Sequence, residues 1–188
     1  MAKKKNVLIL TSGGIDSTAC IHYYDKLKFK VEGIFIDYGQ PAREKEFKAI
    51  KSIASYYDID IRSLKLRNTI NYKGGLIQGR NAFLYFCALM NFPQKAGIIS
   101  SGIHRGTPYY DCSKKFFDEI QIIVKQYTQD TIRVEAPLLN FNKKEIWDYC
   151  LIEKIPLNLT YSCELGRKQP CGKCATCHDL SKLYASKK

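Results

Sequence analysis

Apolar and polar positions along the chain change period repeatedly, and the changes mark out short strands separated by longer helices. Val7–Thr11 is a brief continuous apolar run, as a strand covered on both faces requires. Asp16–Leu27 follows with apolar spacing suited to a helix. Val31–Gly39 reads as a second strand and Ala42–Tyr57 as an amphipathic helix, with Phe47, Ile50, Ile53 and Ala54 on one side. Ile59–Leu66 alternates like a third strand nearer a sheet edge. A polar, glycine-bearing loop over Asn68–Gly79 leads into a helix at Arg80–Phe92 and a fourth strand at Gly97–Gly102. A helix over Lys114–Gln126, a fifth strand over Thr131–Pro137 and a helix over Lys143–Lys154 complete the alternation.

Strand and helix in strict alternation predict a doubly wound, open, parallel five-stranded α/β sheet with helices on both faces. This domain is expected to cover residues 1–158. Residues 159–188 are too few and too rich in cysteine for a core of their own, and read as a small metal-stapled appendix ending in a helix. No apolar run approaches the roughly 18–20 residues of a membrane span. The opening Met-Ala-Lys-Lys-Lys-Asn runs into only about five apolar residues, short of the ~7–15 of a signal-peptide core, so a cytoplasmic protein is expected.

The formal net charge of +12 suits a polyanionic partner, whether a nucleotide or a nucleic acid. The basic residues are spread along the chain, which leaves RNA binding open without demanding it.

The stretch between the first strand and the first helix, Thr11-Ser12-Gly13-Gly14-Ile15-Asp16-Ser17-Thr18, is built to take an anion. Two glycines let the backbone come close, the helix amino end supplies N–H groups and a favourable dipole, and Ser12, Ser17 and Thr18 add hydroxyls. The Gly-Lys-Ser/Thr of a Walker site is absent. Asp16 beside a phosphate calls for a bridging cation, which points to Mg²⁺; the alternative is that Asp16 merely caps the helix.

Eight cysteines divide unevenly. Cys20, Cys87, Cys112 and Cys150 are scattered, as small core residues are. Cys163, Cys171, Cys174 and Cys177 crowd into a Cys-x7-Cys-x2-Cys-x2-Cys run that could enclose a tetrahedral Zn²⁺; an iron–sulfur cluster and an unmetallated tail are the alternatives. His178 is expected outside the ligand set.

Two further segments fall at carboxyl ends of strands or helix starts, where such sheets bind ligands. Arg80 and Asn81 open a helix, and Arg80 suits a carboxylate or phosphate; a solvent-facing Arg beside an Asn cap is the plain alternative. The run Gly102-Ile-His104-Arg105-Gly106-Thr107-Pro108-Tyr109-Tyr110-Asp111-Cys112 concentrates polar and aromatic groups fit for a flat heterocycle.

Ser12–Ser17 resembles the PP-loop of the ATP pyrophosphatase superfamily, whose members split ATP between the α- and β-phosphates and adenylate a substrate oxygen. The ordered set, from Ser-Gly-Gly-x-Asp-Ser through Gly-Arg-Asn and Gly-x-His-x-Gly…Tyr-Asp-Cys to the four cysteines, resembles the 7-cyano-7-deazaguanine synthase family over nearly the whole chain. The resemblance implies activation of 7-carboxy-7-deazaguanine by ATP and Mg²⁺, amidation by ammonia and dehydration to the nitrile, with a structural zinc. It implies ATP binding by Leu8, Ile9, Leu10, Thr11, Ser12, Gly13, Gly14, Ile15, Asp16, Ser17 and Thr18, with adenine near Ile36 and Tyr38. Catalytic roles then fall to Asp16, Ser17 and Arg80, and substrate binding to Arg80, Asn81, His104, Tyr110 and Asp111. The chain looks shorter than the family's usual length, the loss falling between the third strand and Arg80. A relative that stops at the amide or passes the activated base to another amine, such as a protein amine, and a PP-loop enzyme acting on tRNA are the alternatives; the sequence leaves the oligomeric state open, a homodimer being one option.

Overall fold

The computed structural model describes residues 5–66, 76–106 and 108–185. Most of the expected loop at Asn68–Gly79 lies outside the described residues.

The elements follow the expected alternation. They are β1 (Asn6–Leu10), α1 (Ile15–Lys26), β2 (Lys30–Asp37), α2 (Arg43–Tyr57), β3 (Asp60–Lys65), α3 (Arg80–Met90) and β4 (Gly97–Ser101), then α4 (Lys114–Thr128), β5 (Ile132–Glu135), α5 (Lys143–Ile152) and α6 (Ala175–Ala185). Two short 3₁₀ turns, Tyr110–Cys112 and Leu157–Leu159, were not expected from the sequence pattern. The fifth strand is shorter than predicted because the chain turns at 136–139, closed by a Leu139 N–H bond to the Ala136 carbonyl.

The sheet is five-stranded with order β3-β2-β1-β4-β5, and every neighbouring pair is parallel. Winding therefore runs outward from β1 to β3, then crosses back to β4. The switch point lies between β1 and β4, where a ligand crevice opens at the carboxyl ends.

Alternating side chains of the strands feed two cores, one on each face. Leu8, Ile34, Ile36 and Ile99 pack with Tyr85, Phe116, Phe117 and Ile120, whereas Val7, Ile9, Val31 and Ile98 pack with Cys20, Ile21, Tyr24 and Ile53. A third cluster joins Ile15 and Ala19 of α1 to Ile146 and Trp147 of α5 and Leu183 of α6. The final helix thus borrows its apolar contacts from the sheet domain.

Candidate active site

The first strand delivers its loop by burial. Leu8 and Ile9 are fully enclosed and Leu10 packs against the same core, so these residues hold the loop's root; their side chains do not reach its cavity. Gly13 takes φ +71°, and a Cβ there would stand 2.7 Å from the Glu46 carbonyl, so only glycine lets the loop lie against α2. Gly14 is the residue at the amino end of α1, with no side-chain cap. The capping alternative for Asp16 is therefore not what is built. The loop is braced by its own hydroxyls: Ser17 and Thr18 donate to the Gly14 carbonyl at 3.1 and 2.8 Å, and the Ser12 N–H reaches the Ser17 oxygen at 3.4 Å.

Asp16 faces inward and is engaged. Lys143 Nζ donates to both carboxylate oxygens at 2.7 and 2.6 Å, and His104 Nε2 lies 3.7 Å from one of them. Two local structures bring these partners across. Asn142 and Glu145 form a reciprocal capping box at the start of α5, which fixes Lys143 in its first turn. Glu145 also accepts two bonds from Arg105 at 3.2 and 3.1 Å, which ties the loop after β4 to α5 and leaves His104 over Asp16. Gly102 completes the closure: a Cβ there would sit 2.3 Å from the Asp16 carbonyl oxygen.

Lys143 was not foreseen as a site residue. A cation in the first turn of a helix opposes the positive end of the dipole and is disfavoured unless an anion compensates it. That misplacement is the signal the sequence offers. Lys144, its neighbour, is compensated locally by Asp148 at 2.6 Å, whereas among the described residues Lys143 pairs with Asp16 alone.

A cavity of about 140 Å³ lies against the loop, lined by Ser12, Asp16, Glu46, Lys143, Tyr161 and Glu164 among others. Glu46 was also unforeseen. Burial pushes its carboxyl above the ordinary range, while a Gln40 amide donates to it at 2.9 Å. The same Gln40 accepts the Tyr38 N–H at 3.0 Å and donates to the Ile36 carbonyl, so it shapes the end of β2. The tail forms the cavity's far wall, with the Tyr161 N–H donating to the Gly13 carbonyl at 2.8 Å.

Arg80, Asn81 and Asp111 come together at the start of α3. Asn81 and Asp111 are buried; the Asn81 N–H reaches the Asp111 carboxylate at 3.4 Å and its amide donates to the Asp111 carbonyl at 3.2 Å. Arg80 donates to the Asn81 side chain at 3.3 Å. Tyr110 stands apart: it is exposed, it packs edge-on against Phe116, and its hydroxyl donates to Glu119.

The four terminal cysteines converge, with all sulfurs within 4.8 Å of one another. A tetrahedron with metal–sulfur bonds of about 2.3 Å has edges of about 3.8 Å, and Cys171 and Cys177 are 3.8 Å apart. This spacing is compatible with a single zinc ion. Backbone N–H groups of Lys173 and Cys174 point at the Cys171 sulfur and bring its thiol down to about 6, whereas burial pushes the Cys177 thiol up to about 12. His178 is exposed and takes no part.

Fold and loop together define a PP-loop α/β protein of the adenine-nucleotide alpha-hydrolase type. The chain superposes on a 4-thiouridine synthetase solved with RNA and bound ATP, with TM-score 0.58 at 18% identity, covering 96% of this chain and 50% of that one. It also matches the NH3-dependent NAD synthetase from Campylobacter jejuni, with TM-score 0.51 at 13% identity over 84% of this chain and 68% of that one. The family is narrower. The model of the queuosine biosynthesis protein QueC matches residues 6–75 and 71–187, and the chain belongs to that family. A 7-cyano-7-deazaguanine synthase from Prochlorococcus marinus strain AS9601 is 28% identical over 97% of this chain and 94% of its own length. The Campylobacter jejuni enzyme of that name is 28% identical over 92% and 90%. The family match breaks at 71–75, the region where the chain looks shortened. Among the described residues, no helix is long and apolar enough to cross a membrane.

Proposed function

We propose that the chain is an ATP-dependent carbon–nitrogen ligase that converts 7-carboxy-7-deazaguanine, with ammonia, to 7-cyano-7-deazaguanine. The observation that carries this reading is the Asp16–Lys143 pair at the mouth of an anion-binding loop, in a chain of the QueC family. The substrate carboxylate attacks the α-phosphorus of ATP, pyrophosphate leaves, and an acyl adenylate forms. Ammonia then adds to the acyl carbon and AMP departs, giving the amide. A second adenylation, on the amide oxygen, followed by loss of two N–H protons and AMP, gives the nitrile.

Each residue has a role suited to its place. The amino end of α1, with Ser12 and Ser17, stabilises the departing pyrophosphate by charge already in position. Asp16 would hold Mg²⁺, which supplies charge neutralisation on the phosphates. Lys143 is the second cation at this point. Released from Asp16, its ammonium is free to meet the phosphate oxygens, so the ion pair is the resting arrangement of two groups that work apart. Adenine is placed beyond β2, beside Ile36 and Tyr38. Arg80 holds the substrate carboxylate, and Asn81 with Asp111 offers acceptors and donors to the guanine-like edge, with His104 close to the reacting group. The four cysteines would hold zinc as a structural ion.

Mass spectrometry of the protein with Mg-ATP, ammonium and 7-carboxy-7-deazaguanine tests the reading. The nitrile, with AMP as the nucleotide product, is expected. An amide as the end product, or transfer of the activated base to an amine other than ammonia, would replace it with the corresponding narrower activity. Absence of ATP consumption would overturn the substrate assignment.

A further inference from the structure

At the opposite end of the sheet from the loop, the amino ends of the strands border an open groove of about 830 Å³. Its lining includes Lys5, Lys30, Lys95 and Arg133 and no carboxylate. The four cations are distributed with regularity. Lys30 opens β2, Lys5 immediately precedes β1, Lys95 lies two residues before β4, and Arg133 is the second residue of β5. Because the sheet order is β2-β1-β4-β5 here, each of four adjacent strands contributes one positive charge. At the usual spacing of about 4.8 Å between strands, the row spans roughly 14 Å.

These charges are available. Lys30 and Arg133 touch Glu32 and Glu135 at 3.4 and 3.5 Å, yet their own side chains stay 59% and 57% exposed; Glu32 itself is largely buried, whereas Arg133–Glu135 is a surface contact of the kind that contributes little. Glu32 is already engaged by Arg62 at 3.2 Å and by Gln94 at 2.7 Å. Lys5 and Lys95 are exposed, and among the described residues neither has a carboxylate partner. Among the described residues, no aromatic side chain lines the groove to offer a platform on which a base would stack. What it offers is a line of charge.

We infer that this groove binds the phosphodiester backbone of a single-stranded nucleic acid, without regard to base sequence. A single row matches one strand rather than the two ridges of a duplex. It is also longer than a single triphosphate needs. The chain's net charge of +12 adds long-range attraction for a long polyanion. The site is separate from the proposed catalytic centre, so it stands or falls independently of the substrate assignment.

Fluorescence anisotropy of the full-length protein with a labelled 20-nucleotide single-stranded RNA of mixed sequence provides the test. If up to four phosphates are neutralised, the log–log salt slope approaches about −2.8, a loss of roughly 50-fold between 50 and 200 mM salt. The quadruple variant K5Q/K30Q/K95Q/R133Q should bind at least tenfold more weakly at 50 mM and flatten the slope, while its ATP-dependent turnover stays unchanged. DNA of the same length should compete equally with RNA, and saturating Mg-ATP should not displace either. Unaltered binding by the quadruple variant would overturn the proposal. Displacement by Mg-ATP would do the same by moving the contact to the other end of the sheet. Equal competition by tripolyphosphate at the same concentration would reduce the groove to a site for small anions.

Discussion

The loop after β1 and the four-cysteine tail meet at the Tyr161–Gly13 hydrogen bond, yet they are ordered by opposite means. The loop rests on a strand whose three central side chains, Val7, Leu8 and Ile9, are buried, and its turns are braced by its own hydroxyls and by two glycines that permit close backbone approach. The tail has few buried apolar groups, chiefly Leu183 and the cysteines Cys163 and Cys177, and depends on four converging sulfurs. The first is braced by its own groups; the second, under the proposed zinc, would be completed by an ion on its four sulfurs. Because the tail walls the cavity beside the loop, disorder in the tail would reach that cavity.

The largest expected effect breaks the comparison on its weaker side. Apparent binding free energies for structural zinc are about 10–16 kcal/mol, so Cys174→Ser should abolish stoichiometric zinc, measured by atomic absorption. Hydrogen exchange should then rise through 161–178 while β1 and α1 keep their protection. Loss of protection in β1 to the same degree would mean that the two regions fold as one unit.

Next come the charges at the loop. Asp16→Asn should lower kcat/KM by about 10²–10³, the scale of losing one pre-placed electrostatic contact, with Tm also lowered because Lys143 loses its compensating anion. Lys143→Met should lose about 10². The double variant should lose less than the product of the two, because the residues share one partner and one task. Full additivity in steady-state kinetics would count against a common role.

A packing change is smaller. Gly102→Ala places a methyl 2.3 Å from the Asp16 carbonyl oxygen, and overpacking of this kind costs about 1–3 kcal/mol. At roughly 2–4 °C per kcal/mol for a chain of this size, calorimetry should find a drop of about 2–12 °C, with activity reduced because Asp16 is displaced.

The smallest effect lies on the surface that ties α1 to α5. Lys26, at 2.5 Å, and then His22 hold the Glu153 carboxyl below its ordinary 4.5. A carboxyl held low contributes stability that is present above about 4.5 and is lost as pH falls through its lowered value in the folded chain. Glu153→Gln should therefore lower Tm slightly at neutral pH and leave a shallower decline below pH 4.5. An unchanged acid limb in a pH series of melts would remove this pair from the account.

The local features were legible in the sequence because their causes are local. Strand and helix alternate with the apolar period, the loop announces itself by two glycines before Asp16, and the cysteines by their spacing. What was not legible depends on distance along the chain. Lys143 stands 127 residues from Asp16, and its significance appears only once the Asn142–Glu145 capping box and the Arg105–Glu145 contact have folded the segments together. Glu46 looks like one of several acids on an amphipathic helix until burial beside the loop distinguishes it. The shortened fifth strand reflects a turn stabilised after Glu135, which an apolar run cannot signal. The grouping of Arg80, Asn81 and Asp111 could be suspected from strand and helix ends, but their contacts required the crossover between β1 and β4.

The central claim is that the carboxyl end of this sheet uses ATP to activate a carboxylate. The most direct measurement follows oxygen: 7-carboxy-7-deazaguanine labelled with ¹⁸O in its carboxylate, incubated with the protein, Mg-ATP and ammonium, with the nucleotide products resolved by mass spectrometry. Adenylation predicts AMP carrying ¹⁸O from the substrate, formed together with unlabelled pyrophosphate. Label in inorganic phosphate alongside ADP, or AMP free of label, would contradict the assignment of Asp16, Lys143 and the loop to attack at the α-phosphorus.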